Sequence, residues 1–191
     1  MTSDEALMLE FQGGSRAAFE ELFARYRKPL YGFFGRRLNN PERAEDLTQE
    51  TFLAVIRAAS RYEPRASVRT YLYGIALKLL AAERRKLLIS GALGRSVPEA
   101  KTDGTPECVL WVRQALEKLD APEREILMLR EYEQLSYSDI AELLRIPLNT
   151  VRSRLFRSRL ALKSYLESEA KTNPDLRASA EQPRPGRRGM Q

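Results

Sequence analysis

Apolar residues recur at three- and four-residue steps along nearly the whole chain, and no long segment alternates apolar with polar. That spacing lays one apolar stripe along a helix and gives a strand no face to bury, so the expected fold is all-α. From Ser15 to Leu38 the stripe is Phe19, Leu22, Phe23, Tyr26, Leu30, Phe33 and Phe34, with Pro29 expected to kink the helix or divide it in two. Asn40-Pro41 reads as an N-cap followed by proline at the first helical position, opening a helix that runs to about Ser60. Tyr62-Glu63-Pro64-Arg65 breaks the pattern, and the next helix spans about Ser67 to Leu87. Between Leu88 and Pro106 the chain turns rich in Gly, Pro, Ser and Thr, as a linker does. Leu110, Val112, Leu116 and Leu119 then start a second array, which continues as helices over Pro122–Tyr132, Ser136–Leu144 and Asn149–Leu166. The expectation is two small helical domains, 1–90 and 107–168, joined by a flexible linker over 91–106 and followed by a disordered tail over 169–191.

The residue inventory narrows the chemistry. Among 191 residues there is no histidine, and Cys108 is the only cysteine. Intramolecular disulfides, Cys/His zinc sites and histidine acid–base catalysis are thereby excluded, and no phosphate loop or nucleophile constellation points to an enzyme. No metal or cofactor is expected. The net charge of +6 and the pI near 9.6 favour an anionic partner only modestly. Their distribution says more: basic residues crowd at Arg84–Lys86, along Arg152–Lys163 and in the tail, while acids gather at Asp46–Glu50 and Glu117–Glu133. The start MTSDEALMLEF lacks the layout of a secretory signal, and no apolar run approaches bilayer length. A cytoplasmic protein without direct membrane insertion is expected.

The segment LSYSDIAELLRIPLNTVRSRLFRSRLALKSYL carries the sharpest signal. Ser136 opens an S-x-x-D capping box with Asp139. Ile140, Ala141, Leu143 and Leu144 supply the buried face of a short helix, and Arg145-Ile146-Pro147 makes a turn. Asn149 can cap the following helix, whose core stripe is read as Val151, Leu155, Leu160 and Leu162 with Phe156 beside it. Thr150, Arg152, Ser153, Arg154, Arg157, Ser158, Arg159 and Lys163 are left for its outer face, without an acid among them. A lone basic helix is often just solvated. A short helix, a tight turn and a capped basic helix together make a DNA-binding helix-turn-helix, since arginine bonds guanine edges bidentately and Ser or Thr can bond bases or phosphate.

Around this turn the chain resembles the promoter-reading region of extracytoplasmic-function sigma factors, whose pattern is close to I-P-x-G-T-V-x-S-R-x-x-R-A-R. Ile146, Pro147, Thr150, Val151, Ser153, Arg154, Arg157 and Arg159 match it, while Asn149 stands for the usual glycine and Ser158 for the usual alanine. The resemblance implies −35 contacts from Asn149, Thr150, Arg152, Ser153, Arg154, Phe156 and Arg157.

The resemblance extends over residues 1 to about 167. In AEDLTQETFLAVIRA, Leu47, Phe52, Val55, Ile56 and Ala59 can face a core, which places Asp46, Gln49, Glu50 and Leu53 on one outer stripe. An acidic stripe with an exposed leucine suits a basic helical partner, though an ordinary solvated face has the same composition. The resemblance makes that partner the clamp of core RNA polymerase, with the flap as a further polymerase contact. In SRYEPRASVRTYLYGIALKLLAAERRK, Tyr62, Tyr71 and Tyr73 interleave with Arg61, Arg65, Arg69, Lys78, Arg84 and Arg85. Aromatic faces can stack on unpaired bases while cations hold the backbone. The alternative is that Tyr71 and Tyr73 complete the core. The family pattern here is near W-L-Y-x-I-A-x-N-x-x-x-D. Leu72, Tyr73, Ile75 and Ala76 agree with it; Tyr71, Lys78 and Ala82 replace its tryptophan, asparagine and aspartate. The implied −10 and melting residues are Tyr62, Arg65, Arg69, Tyr71, Tyr73, Lys78, Arg84 and Arg85, and the implied partners are core polymerase, promoter DNA and an anti-sigma factor. Cys108 and Trp111 read as packing residues, and Glu99 and Asp103 sit in the linker that family members thread toward the polymerase active centre. A sensor-linked DNA-binding regulator would need strands in residues 1–90; a sigma mimic would show an eroded recognition helix.

Overall fold

In a computed structural model the described residues are 2–38, 40–89 and 106–172, without the side chains of 106–110 and 169–172. All regular structure among them is helical: α1 (Asp4–Gln12), α2 (Arg16–Gly35), α3 (Pro41–Ala58), a single 3-10 turn (Ala59–Arg61), α4 (Val68–Ile89), α5 (Pro106–Glu117), α6 (Ala121–Glu131), α7 (Tyr137–Leu144) and α8 (Leu148–Thr172). The linker before Pro106 and the tail beyond Thr172, with Glu99 and Asp103, lie outside the described residues, as does the side chain of Cys108. Trp111 is half-buried, and its indole N–H is buried without a hydrogen-bond partner.

The helices fall into two compact units. Among the described residues the first takes those up to Ile89 together with 129–146, and the second takes 106–128 and 147–172. Thus α6 is shared, and α7 counts with α1–α4.

In the first unit α2 and α3 pack along each other, with α1 and α4 against them. Leu30, Phe33, Phe34, Leu47, Leu72, Tyr73, Ala76 and Leu80 form its centre. An aromatic cluster fills the other end, where Phe11 meets Phe19 at 4.8 Å and Phe23 meets Phe52 at 4.7 Å. Thr48 and Thr51 are buried on α3, and each satisfies its hydroxyl on the carbonyl one turn back, at 2.7 Å. Asn40 caps α3 as expected, its Oδ1 accepting from the Arg43 N–H at 2.9 Å, with Pro41 at the first position.

The structure narrows one expectation, adds one helix and corrects one residue. Of the two alternatives at Pro29, division does not occur: helix α2 is continuous through it. Proline costs one backbone bond there, and the burial of Tyr26, Leu30, Phe33 and Phe34 on either side outweighs it. Helix α1 has no counterpart in the periodicity, because its apolar residues run consecutively as Ala6-Leu7-Met8-Leu9; Leu7 and Met8 are buried, and Ser3 caps the helix by accepting from Ala6 N–H. Ile56, expected in the core, is 45% exposed. At about 100° per residue it lies well off the stripe of Leu47, Thr51 and Val55.

In the second unit α5 packs on α8. Ala115, Leu119, Ile126, Leu127, Met128, Val151 and Leu155 are its buried apolar residues, joined by Ser158.

Candidate nucleic-acid interfaces

Helix α8 begins at Leu148, so Asn149 lies in its first turn rather than capping it; its Oδ1 accepts from Arg152 at 3.3 Å. The turn before it closes on Arg145, which is left-handed at φ 52°, with the Ile146 N–H donating to the Ala141 carbonyl at 3.0 Å. The capping box at α7 is formed: Ser136 Oγ accepts from Asp139 N–H, and Asp139 accepts from Ser136 N–H.

Rotation at about 100° per residue explains which side of α8 is open. Val151, Leu155, Ser158 and Leu162 lie within roughly 60° of arc. The first three are buried and Leu162 is half-buried. Leu160 points about opposite and is 58% exposed, so it leaves the expected core stripe, and Ser158 leaves the expected outer face to replace it. The Ser158 hydroxyl lies 2.7 Å from the Arg154 carbonyl and 3.2 Å from that of Glu123. Asn149, Arg152, Ser153, Phe156 and Arg157 all stand on the exposed side, and Thr150 and Arg154 are half-buried at its edge. Phe156, at 69% exposure, presents its ring among the basic residues. Glu123 of α6 holds Arg157 at 3.3 Å, a contact that residue spacing does not announce. The structure therefore brings all seven residues expected at the −35 element onto one continuous face.

Helix α4 divides its candidates. Tyr71, Lys78 and Arg85 recur every seven residues and share a stripe. Lys78 and Arg85 are exposed, and half-buried Tyr71 meets the ring of Tyr62 edge-on at 5.3 Å. Tyr62 itself is buried, and its hydroxyl has no hydrogen-bond partner. Burial pushes the Tyr62 and Tyr71 phenols above their ordinary value. Arg65 and Arg84 are exposed, Arg65 pairing with Glu63 at 2.5 Å. Arg69 and Tyr73 lie on another side of the helix. Tyr73 is 1% exposed and packs on Phe33 at 5.4 Å, completing the core. Burial, then the nearby Glu133 carboxylate, holds its phenol protonated far above the ordinary range. Arg69 donates to the Glu133 carbonyl at 3.1 Å.

On α3 the acidic stripe stands as expected, with Asp46, Gln49 and Leu53 exposed and Glu50 half-buried. Arg43 on the same stripe was missed by the spacing argument. Its guanidinium binds Glu83 of α4 through two bonds of 2.9 Å, and its remaining nitrogen reaches Glu50 at 3.0 Å and Asp46 at 3.4 Å. The Arg43 bonds hold the mostly buried Glu83 carboxyl below the usual range, against the opposing effect of burial. Glu83 is thus the one acid of AERRK turned inward, leaving Arg84, Arg85 and Lys86 exposed.

Two family descriptions match this chain: "Sigma-70 region 2" over residues 22–87 and "Sigma-70, region 4" over residues 110–162. The RNA polymerase sigma-H factor of Pseudomonas aeruginosa is 30% identical over 86% of this chain and 94% of its own length. The ECF RNA polymerase sigma-E factor of Haemophilus influenzae is 31% identical over 86% of this chain and 96% of its own. The chain belongs to the extracytoplasmic-function group of the sigma-70 family. The fold agrees: CnrH, solved in complex with the cytosolic domain of CnrY, matches with a TM-score of 0.66 at 23% identity, over 87% of this sigma factor and 99% of that chain. Among the described residues no helix is long and apolar enough to cross a membrane.

Proposed function

We propose that this sigma factor binds core RNA polymerase, directs it to a specialised set of promoters, and is held in check by an anti-sigma factor. The single observation that carries the reading is α8, where every basic and polar residue that matches the sigma pattern faces outward or stands at the edge of the open side, and Ser158, at the pattern's alanine, is buried. In this reading residues 107–168 read the −35 element and touch the polymerase flap, while residues 1–90 dock on the clamp through Asp46, Gln49, Glu50 and Leu53. Tyr71, Lys78 and Arg85, with Arg65 and Arg84, guide the opened strand near −10. The protein acts as a specificity subunit, and catalysis belongs to the polymerase. That the sigma factor RpoE of Bartonella quintana was solved with the anti-sigma factor NepR supports an anti-sigma partner here.

Run-off transcription on genomic DNA, with purified core polymerase and this protein, tests the reading. Discrete transcripts absent from core alone are expected; their absence refutes it. Docking has its own test. Reversing Asp46 and Glu50 together to lysine should cost on the order of 2–5 kcal/mol of core binding, enough to abolish a pull-down. The melting curve should hold, because Arg43 keeps its two bonds to Glu83. An unchanged pull-down removes the stripe from the docking surface.

A further inference from the structure

Helix α1 carries none of the candidate DNA or docking residues, yet it holds both ends of a segment that does. Residues 63–67, between the 3-10 turn and α4, include Arg65. The segment begins beside Tyr62, whose ring meets that of Tyr71 at the head of the open stripe of α4. Glu63, Pro64, Arg65 and Ser67 are exposed. The one backbone hydrogen bond inside the segment runs from the Arg65 N–H to the Glu63 carbonyl, at 2.8 Å. A loop with so little bonding of its own takes its shape from whatever fixes its ends.

At the start of the segment, Gln12 Nε2 donates to the Tyr62 carbonyl at 3.1 Å. At its end, Glu5 Oε1 accepts from the Val68 N–H at 3.3 Å, and Ser67 Oγ accepts from the Thr70 N–H at 3.1 Å. These N–H groups belong to the first turn of α4, which has no intrahelical acceptor for them, and the helix dipole favours a carboxylate there. Glu5 and Gln12 are seven residues apart in α1. They therefore differ by about 20° in rotation and stand roughly 10 Å apart along the helix axis. The same helix is tied independently to α2. Asp4 accepts from Arg25 Nη1 at 2.6 Å and from the Tyr26 hydroxyl, and the rings of Phe11 and Phe19 meet at 4.8 Å. Two anchors on one fixed helix set the span between residues 62 and 68.

We propose that α1 is a ruler for this segment, and that Glu5 and Gln12 are positioning residues which fix its two ends and so sharpen the selection of bases at the −10 element. The inference rests on the proposed reading of −10 by this unit. Discrimination among bases needs donors and acceptors held to within about 0.5 Å, whereas attraction to phosphate tolerates a mobile chain. Releasing the ends of the segment therefore costs sequence preference and leaves overall attraction to DNA nearly intact.

The test is transcription by the full chain with core polymerase from a promoter pool randomised across −10. Glu5→Ala with Gln12→Ala should lower the ratio of output from preferred to singly mismatched −10 sequences about tenfold. Glu5→Gln keeps an acceptor for the Val68 N–H and should stay within about twofold of wild type. Core pull-down and the melting curve should hold for the double variant, because buried Leu7 and Met8 keep α1 packed. Should it melt early, Gln12→Ala alone decides: Gln12 is exposed at the end of α1, and its loss should lower the ratio about threefold. A merely structural role lowers output from all promoters alike and leaves the ratio unmoved, which overturns the ruler. Wild-type transcripts with an unmoved ratio in the variants leave the sigma function standing, whereas no wild-type transcripts remove that function and the ruler with it.

Discussion

Helices α8 and α4 carry similar numbers of cations and meet opposite fates. On α8 the buried residues form one narrow arc, and everything polar that the sigma pattern requires lies beyond it. On α4 the expected site residues are split: Tyr71, Lys78 and Arg85 share an open stripe, Tyr73 belongs to the core, and Arg69 is engaged with Glu133. A helix that reads the edge of a duplex works as a rigid rod with its side chains outward, so its own rotation nearly suffices to define the site. A surface for an opened strand is assembled from several elements, with aromatic and basic groups from each, and can be shared with the core or shielded by another segment.

The largest test of that contrast concerns the rotation of α8. Leu155→Ala should lower stability by about 2–5 kcal/mol, since Leu155 is 1% exposed, whereas Leu160→Ala should shift it by no more than about 0.5 kcal/mol. Denaturant unfolding monitored by circular dichroism measures both. Similar losses at the two positions would mean that α8 is turned differently and that its outward face is not the one described.

Next in size is Arg157→Ala, which should weaken binding to the native −35 element by about 1–3 kcal/mol and spare a scrambled one. Its ion pair with Glu123 is 62% exposed on the arginine side, so the melting temperature should hardly move. Equal loss on both DNA sequences would make Arg157 a phosphate contact and bring α8 closer to α4 in kind.

The smallest expected effect is at Lys78. Lysine only donates, where the family's asparagine both donates and accepts, so Lys78 suits the backbone more than a base edge. Lys78→Asn should sharpen the −10 preference at one position and reduce the salt slope of open-complex formation by about one phosphate contact. A promoter library randomised across −10 measures the first, and a salt titration the second. An identical preference and slope would show that the open stripe of α4 does not face DNA.

Sequence by itself determined the helical class, the Asn40 and Ser136 caps, the outer acidic stripe of α3 and nearly all of the α8 face. These features are local: a cap, a period or a turn needs only the residues within one or two turns of it. Where local reasoning failed, packing decided. Leu160 was assigned to the core because leucine is apolar, but rotation sets it opposite Val151 and Leu155, and a serine able to satisfy its hydroxyl on nearby carbonyls is buried instead. Pro29 reads as a kink or a break, and the buried residues flanking it keep α2 from being divided. Glu133 reads as one more acid in the acidic run from Glu117, and Arg43 as one more cation before the α3 stripe. Only the tertiary structure places Glu133 between Arg36 and Arg37, and Arg43 between Glu83 and Glu50. A charge carries no periodicity that names its partner; an ion pair spanning 97 positions exists only once the chain has brought both ends together and removed them from water.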